Sequence, residues 1–284
     1  MSYSDSHVHL DSFPQEDLDI VFAAMKAKKV SLVMNVAINL QTSEDAIKLA
    51  QKYKAVYAAI GIHPGEAMAL TPEIKKRLEE LSGQPRVVAF GEIGLSYGRS
   101  TGSKEEQQAL FAYQLSLAKN TRKPVDIHYS YDSHKDIIAM IKKEKGAAGI
   151  VHGFVGTMSD LNDWLNLDFY ISLGKPSMGM LGMMGGMHEM PTTTDEVIRA
   201  IPAERLLTET DSMARMSVSL WNKMGGPKAP PPPSGGPKGA PMKEEFNQPT
   251  DVIGVAEKIA AIRGVPVEEI GNTATKNLKR VLKI

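Results

Sequence analysis

Two histidines separated by one residue, His7-Val8-His9, are the first residues in the chain whose spacing suggests chemistry. In an extended strand successive side chains alternate between faces, so His7 and His9 project to one side and Val8 to the other. Neutral imidazole is a ligand for zinc, iron, nickel and manganese-type ions, and a pair at a strand's end needs one or two further donors to close on a cation. Such donors recur. His63 stands in Gly-Ile-His-Pro-Gly, Glu92 in Gly-Glu-Ile-Gly, His128 in Asp-Ile-His, His152 in Val-His-Gly and Asp211 in Thr-Glu-Thr-Asp, each at the end of an apolar run. Cysteine is absent, which excludes disulfides and thiolate ligands and leaves a metal only His, Asp and Glu.

Donors this far apart in sequence need a scaffold that gathers strand ends. Apolar residues at Leu18, Val21, Phe22 and Met25 have the three-and-four spacing of a helix with one buried face. The same reasoning predicts helices over 15–28, 43–54, 72–81, 104–119, 133–145, 158–165 and 195–200. They alternate with strands over 4–10, 30–37, 56–62, 87–93, 124–128, 149–152, 169–173 and 205–210. Strands that read as continuous apolar runs, alternating with amphipathic helices, argue a parallel sheet covered by helices. Eight such units in 284 residues predict an α/β fold of the (β/α)8 TIM-type barrel, one domain over 1–284 with a Pro/Gly-rich insertion at about 222–245. An open doubly wound sheet is the alternative, but it would place ligands at one or two switch points. In a closed barrel all strand ends meet at one face, so five of the seven histidines would converge there with Glu92 and Asp211.

Bulk properties narrow the partners. With 33 basic and 33 acidic residues the formal net charge is zero, so there is no general attraction for nucleic acid or an anionic membrane. No basic apolar leader precedes Asp5 and no run approaches the roughly 18 apolar residues of a membrane span, which predicts a soluble cytoplasmic protein with no membrane partner. The oligomeric state is left open.

The ordered motifs Asp5-Ser-His-Val-His-Leu-Asp11, Gly61-Ile-His-Pro64, Gly91-Glu-Ile-Gly-Leu95, Asp126-Ile-His128, Val151-His-Gly-Phe-Val-Gly156 and Leu207-Thr-Glu-Thr-Asp211 resemble those of the TatD family. These are metal-dependent hydrolases of the amidohydrolase-like barrel superfamily. The resemblance implies two divalent metal ions, zinc first, with manganese, magnesium or iron as alternatives. It implies that His7, His9, Glu92 and Asp211 hold one ion, and that Glu92, as a bridging carboxylate, holds the second with His128 and His152. Two cations about 3.5–4 Å apart can clamp an oxyanion and bring the pKa of water between them toward neutrality. Asp211 is the candidate general base, because a carboxylate beside such water can take its proton and later deliver it to the leaving group. Most characterised relatives cleave phosphodiester bonds in DNA, so phosphoester hydrolysis is the activity implied first. An amide, cyclic-amide or lactone hydrolase on the same metals, or a catalytically inactive metal-bound scaffold, are the other readings.

The chain also departs from the family. Ser96 and Ser130 occupy places where nuclease members usually carry Asp and Arg, and serine cannot replace an arginine's bidentate grip on phosphate. Arg215 could supply a cation instead; His63 and Lys175 are the other candidate substrate contacts. The expected substrate is therefore a small molecule or simple phosphoester, with nucleic acid possible but not favoured. Glu209, two residues before Asp211, would face the same side in a regular strand. His134 and His188 read as ordinary surface histidines. The Met- and Gly-rich stretch 178–190 reads as a pliable apolar lip and the Pro/Gly insertion as a connector, lid or docking strip.

Overall fold

The structure, a computed structural model, describes residues 1–67, 70–98, 102–175, 177, 193–213 and 247–284. The predicted lip, the insertion, His188 and Arg215 lie outside them. Strands and helices alternate: β1 (Tyr3–His9), α1 (Gln15–Ala27), β2 (Val30–Val36), α2 (Leu40–Lys52), β3 (Val56–Ile60), α3 (Pro72–Ser82), β4 (Val87–Leu95) and α4 (Lys104–Thr121). Then come β5 (Val125–Tyr129), α5 (His134–Glu144), β6 (Gly149–Val151), α6 (Met158–Leu165), β7 (Tyr170–Leu173), α7 (Asp195–Ala200), β8 (Leu206–Thr208) and β9 (Ser212–Met213). Two more helices, Val252–Arg263 and Val267–Leu282, follow. Helix α2 starts earlier than expected because Asn39 caps it: its side chain accepts from Thr42 N–H while Thr42 Oγ1 reaches back to the Asn39 backbone.

The strands form one parallel sheet in the order β8-β7-β6-β5-β4-β3-β2-β1-β9. Laid flat, nine strands would hold the edges roughly 38 Å apart at about 4.8 Å per step. Yet the two edges, β8 and β9, are separated in sequence only by Glu209, Thr210 and Asp211, a link that reaches at most about 14 Å. The sheet must therefore curl until its edges meet, which is the TIM-type barrel. The seam is bonded: Thr208 Oγ1 donates to Ser4 O at 3.0 Å, and Asp5 accepts from His7 N–H, Thr210 N–H and Thr210 Oγ1. The expected eighth strand over 205–210 is thus a broken one, interrupted where Asp211 takes a left-handed φ of 51°.

Burial separates the core into two layers. One lies between sheet and helices, from Val33, Ile60 and Phe90 to Trp164 and Phe169. The other, Leu32, Met34, Val36, Ala59, Ile150 and Leu207, is closed off by Leu278, Val281 and Leu282 of the final helix. That helix crosses the end of the barrel where strands begin. Gly271 abuts Tyr3, Asn277 Nδ2 donates to the carbonyls of Ala203 and Leu206, and Lys283 Nζ donates to Arg122 O. With that end plugged, the opposite end carries the polar groups. Among the described residues no helix is long and apolar enough to cross a membrane. His134, expected on the surface, is instead buried: its ring meets Tyr129 and Trp164 edge-on, and Nε2 lies 3.2 Å from Asp163.

Two glycines explain the Gly-Glu-Ile-Gly motif. A Cβ on Gly91 would stand 2.6 Å from Asp126 Cβ, and one on Gly94, at φ +152°, would stand 1.9 Å from His128 O. Both allow β5 to pass close to Glu92. Gly94→Ala should therefore cost about 3 kcal/mol or more through overpacking and backbone strain. By contrast Gly254→Ala, in a helix with nothing within 4 Å of the new Cβ, should stabilise by up to about 1 kcal/mol. Denaturant midpoints for the two variants, shifted in opposite directions from the parent, are the expected result.

Candidate metal centre

The first two histidines are oriented by their outer nitrogens. His7 Nδ1 donates to the buried Asp126 Oδ2 at 2.7 Å, and His9 Nδ1 donates to Val36 O at 2.8 Å. These bonds place the ring protons on Nδ1 and turn each Nε2 inward, where the two nitrogens face one another at 3.2 Å. Carboxylate oxygens surround them. Asp211 Oδ1 is 3.3 Å from His9 Nε2 and 3.8 Å from His7 Nε2, and Glu92 Oε2 is 3.6 Å from His7 Nε2. Two lone pairs and two carboxylates aimed at one spot require a cation there, either a proton or a metal ion.

The other oxygen of Glu92 serves a different histidine set. His128 Nδ1 lies 2.5 Å and His152 Nε2 2.8 Å from Glu92 Oε1, with His63 Nε2 at 3.7 Å. His152 stacks on His7, ring centroids 3.9 Å apart. Behind it Glu209 accepts from Gly153 N–H at 2.6 Å and comes within 3.6 Å of His152 Nδ1. Three groups have donors within 4.8 Å of one another: His7, His9 and Asp211; His7, Glu92 and His152; His63, Glu92 and His128. His63 differs in tautomer. Its Nδ1 accepts from Gly65 N–H at 2.9 Å, which puts the proton on Nε2 and makes it a donor toward the site.

Electrostatics follow from this crowding. Burial works against the charge of Glu92, but His152, His128 and His63 outweigh it and hold the carboxyl well below its usual range. His9 also loses by burial, yet the hydrogen bond to Asp211 and the charges of Asp211, Glu92 and Asp11 raise it to about 9. His152 is raised well above its ordinary value, because Glu92 and Glu209 overcome desolvation. His63 goes the other way, to about 4, since burial and the neighbouring imidazoles exceed the pull of Glu92. Asp211, with a side chain 46% exposed, pays some desolvation but is kept below the usual carboxylate range by His9 and His7.

All six expected ligands, His7, His9, Glu92, His128, His152 and Asp211, are brought together, and His63 stands beside them. Lys175 is engaged elsewhere: its ammonium lies 3.3 Å from Asp251. Glu209 and Asp211 both reach the histidine cluster, Glu209 at His152 Nδ1 and Asp211 at His9 and His7, with His152 stacked on His7 between them. Asp126 escaped notice as an orienting residue, although its place two residues before His128 puts both on one face of β5. The donor set of imidazole nitrogen and carboxylate oxygen, with ring protons anchored on the far side, fits a divalent cation.

A histidine that ligates a cation must give up the proton on the coordinating nitrogen. His9, with a pKa of about 9, holds that proton at neutral pH, and His152 is shifted the same way, whereas His63, lowered to about 4, carries no second proton. Metal uptake at pH 7 should release at least one proton, and affinity should climb as pH rises toward about 9 and then level off. Calorimetric titration of zinc in buffers of different ionisation enthalpy reads the proton count, and zero release would contradict this assignment.

Comparison with known proteins agrees with the geometry. The model of the TatD related DNase family matches residues 4–283. The metal-dependent hydrolase YabD of Bacillus subtilis is 32% identical over 283 residues, covering 99% of this chain and 98% of its own. The 3'-5' ssDNA/RNA exonuclease TatD of Klebsiella pneumoniae is 32% identical over 200 residues, 69% of this chain and 72% of its own. In fold, the crystal structure of the TatD homologue YjjV of Escherichia coli superimposes with a TM-score of 0.75 at 23% identity, over 99% of this chain and 98% of that one. The chain belongs to the TatD related DNase family and is a metal-dependent hydrolase.

Proposed function

We propose that this protein hydrolyses phosphoester bonds of small substrates at a centre of two divalent cations bridged by Glu92. One observation carries the reading: the two oxygens of Glu92 face different histidine sets, Oε2 toward His7 and His9 and Oε1 toward His128 and His152. With Asp211 on the His9 side, each set then offers at least three donors. Zinc suits a set so rich in imidazole, with manganese, magnesium or iron as alternatives. When bound, the ions supply Lewis acidity to the phosphoryl oxygens and favour ionisation of water.

The chain's own residues divide the remaining work. Asp126 fixes the His7 ring so that Nε2 stays aimed inward. Asp211 is ionised at neutral pH and about half exposed at the mouth, so it can accept the proton of attacking water and return it to the leaving oxygen. His63, neutral with its proton on Nε2, donates a hydrogen bond to a phosphoryl oxygen. Substrate size is read from what surrounds them. Ser130 Oγ is tied into its own turn with Asp132 and Ser133, Ser96 is buried with its N–H on Gln107, and Lys175 is paired with Asp251. None offers a free charge to a polymer's phosphates, which argues for a compact phosphoester over a DNA strand.

Elemental analysis should find two ions per chain, and Glu92→Ala should lose both ions and activity together. Asp211→Asn should lower turnover by about 10²–10⁴-fold with substrate affinity little changed. Retention of both ions in Glu92→Ala, or an Asp211→Asn effect confined to affinity, would overturn the respective role.

Substrate preference is a separate measurement. At ~0.15 M salt, aryl phosphoesters should be turned over faster than single-stranded DNA oligonucleotides. Faster cleavage of the oligonucleotide would place this chain's substrate with that of the Klebsiella relative.

A further inference from the structure

At the end of the barrel opposite the metal donors, a cleft of about 420 Å³ opens where β5, β6 and β7 begin and the final helix ends. Its walls carry Lys119, Arg122, Lys123, Arg205, Arg280 and Lys283 against one carboxylate, Asp168. Two of these cations have acidic partners. Lys119 lies 3.5 Å from Glu144 and Arg205 2.8 Å from Asp168. Among the described residues, no carboxylate comes within 4.0 Å of the charged groups of Arg122, Lys123, Arg280 or Lys283. Lys123 Nζ donates to Val87 O at 2.6 Å and Lys283 Nζ to Arg122 O at 2.8 Å, and a carbonyl satisfies an N–H without neutralising its charge. Burial also lowers the Lys123 pKa, the mark of a cation held partly out of water with no counter-charge.

Helix C-termini attract basic residues, which accounts for Lys119 and Arg280 in the last turns of α4 and the final helix. It does not account for Lys123, which stands past the end of α4 in the segment leading into β5. Nor does it explain why six basic residues from three separate segments, 119–123, 205 and 280–283, line one concavity in a chain whose net charge is zero.

We infer that this cleft is a second binding site, for a compact anion carrying two or more phosphate groups, gripped by the guanidiniums of Arg122 and Arg280 with the ammoniums of Lys123 and Lys283. Guanidinium forks match phosphate oxygens in pairs, and four uncompensated charges suit a di- or triphosphate better than a single phosphate. The volume is in the range of small-ligand sites, about 300–1,000 Å³. The phosphates could belong to a nucleotide or to inorganic polyphosphate. The single aromatic ring of the lining, Tyr170, is covered by the Arg205 guanidinium 5.0 Å from its centroid, so no aromatic face is offered to a base. Recognition therefore rests on the phosphates. The site shares no residue with the metal centre, and the inference stands or falls independently of the proposed hydrolysis.

Calorimetry of metal-loaded protein with tripolyphosphate, ATP and inorganic phosphate tests it, on an Asp211→Asn background so that the probes are not consumed. At ~0.15 M salt, tripolyphosphate and ATP should bind within about threefold of each other and inorganic phosphate at least about tenfold more weakly. Arg122→Ala with Arg280→Ala should weaken tripolyphosphate at least about tenfold, and Arg122→Lys with Arg280→Lys should retain most of the affinity. In the otherwise native chain the alanine pair should leave phosphoester turnover unchanged, both residues being exposed and remote from the donors. Absence of tripolyphosphate binding, or an alanine pair that binds it as tightly as the parent, would overturn the site. ATP binding that far exceeds tripolyphosphate binding would overturn recognition by phosphate alone.

Discussion

Two imidazole nitrogens 3.2 Å apart, each with its ring proton committed to an acceptor on the far side, repel unless a positive charge lies between them. Much else at this end of the barrel depends on that constraint. Glu92 and Asp211 are the anions that make a cation affordable in a place where His7 is fully buried and His9 nearly so. Glu92 would be costly to ionise here without its histidines, and His152 would be costly to charge without Glu92 and Glu209. Each group's charge state is thus set by the others, and the cluster behaves as one cation-binding unit.

Such a cluster needs rigid support, and the closure of the sheet supplies it. Asp5 sits inside the seam, joining the start of the chain to Thr210 from more than two hundred residues away. The same link carries Asp211, whose N–H donates to His7 O at 3.0 Å, so closing the barrel is also what places the general-base candidate beside the first histidine pair. The break between β8 and β9 has a function in this light. The chain turns through a left-handed φ at Asp211, and from the two sides of Thr210 one carboxylate backs His152 while the other reaches His9.

Most of the architecture was legible in sequence, because strand periodicity and amphipathic helices are local signals. Helix α6 and α7 begin and end where spacing put them, and the remaining helices differ by one to three residues at an end, as at α2, where the Asn39 cap sets the start. The convergence of histidines was legible for a related reason: a parallel barrel delivers every strand end to one face. Three features were not. Asp126 looked like part of a strand because its partner, His7, is 119 residues away and only the folded barrel joins them. His134 looked like a surface residue because nothing local shows that Tyr129 and Trp164 will enclose it. Lys175 was read as available to substrate, and only tertiary packing reveals Asp251 beside it.

A net charge of zero also conceals how the charge is arranged. Acidic residues occupy the first turns of α1, α3, α4, α5, α6 and α7, while basic residues occupy the last turns of α1, α2, α4, α5 and α7, each placement of the sign the helix dipole favours. In this fold each of those helices starts at the face where the preceding strand ends. Among the described helix ends, the dipole preference repeated around the ring therefore sets acidic side chains toward the metal-donor face and basic ones toward the opposite face. On the proposed function, a long polyanion approaching the metal donors would meet repulsion from those first turns, whereas a small ester would present only one or two charges to them. The cleft inferred to bind phosphates lies at the other end, where helix ends and strand starts bring six basic side chains together. Helix-end electrostatics, usually a minor contributor to stability, thus sorts the charges of a chain with zero net charge between the two ends of the barrel among the described helices.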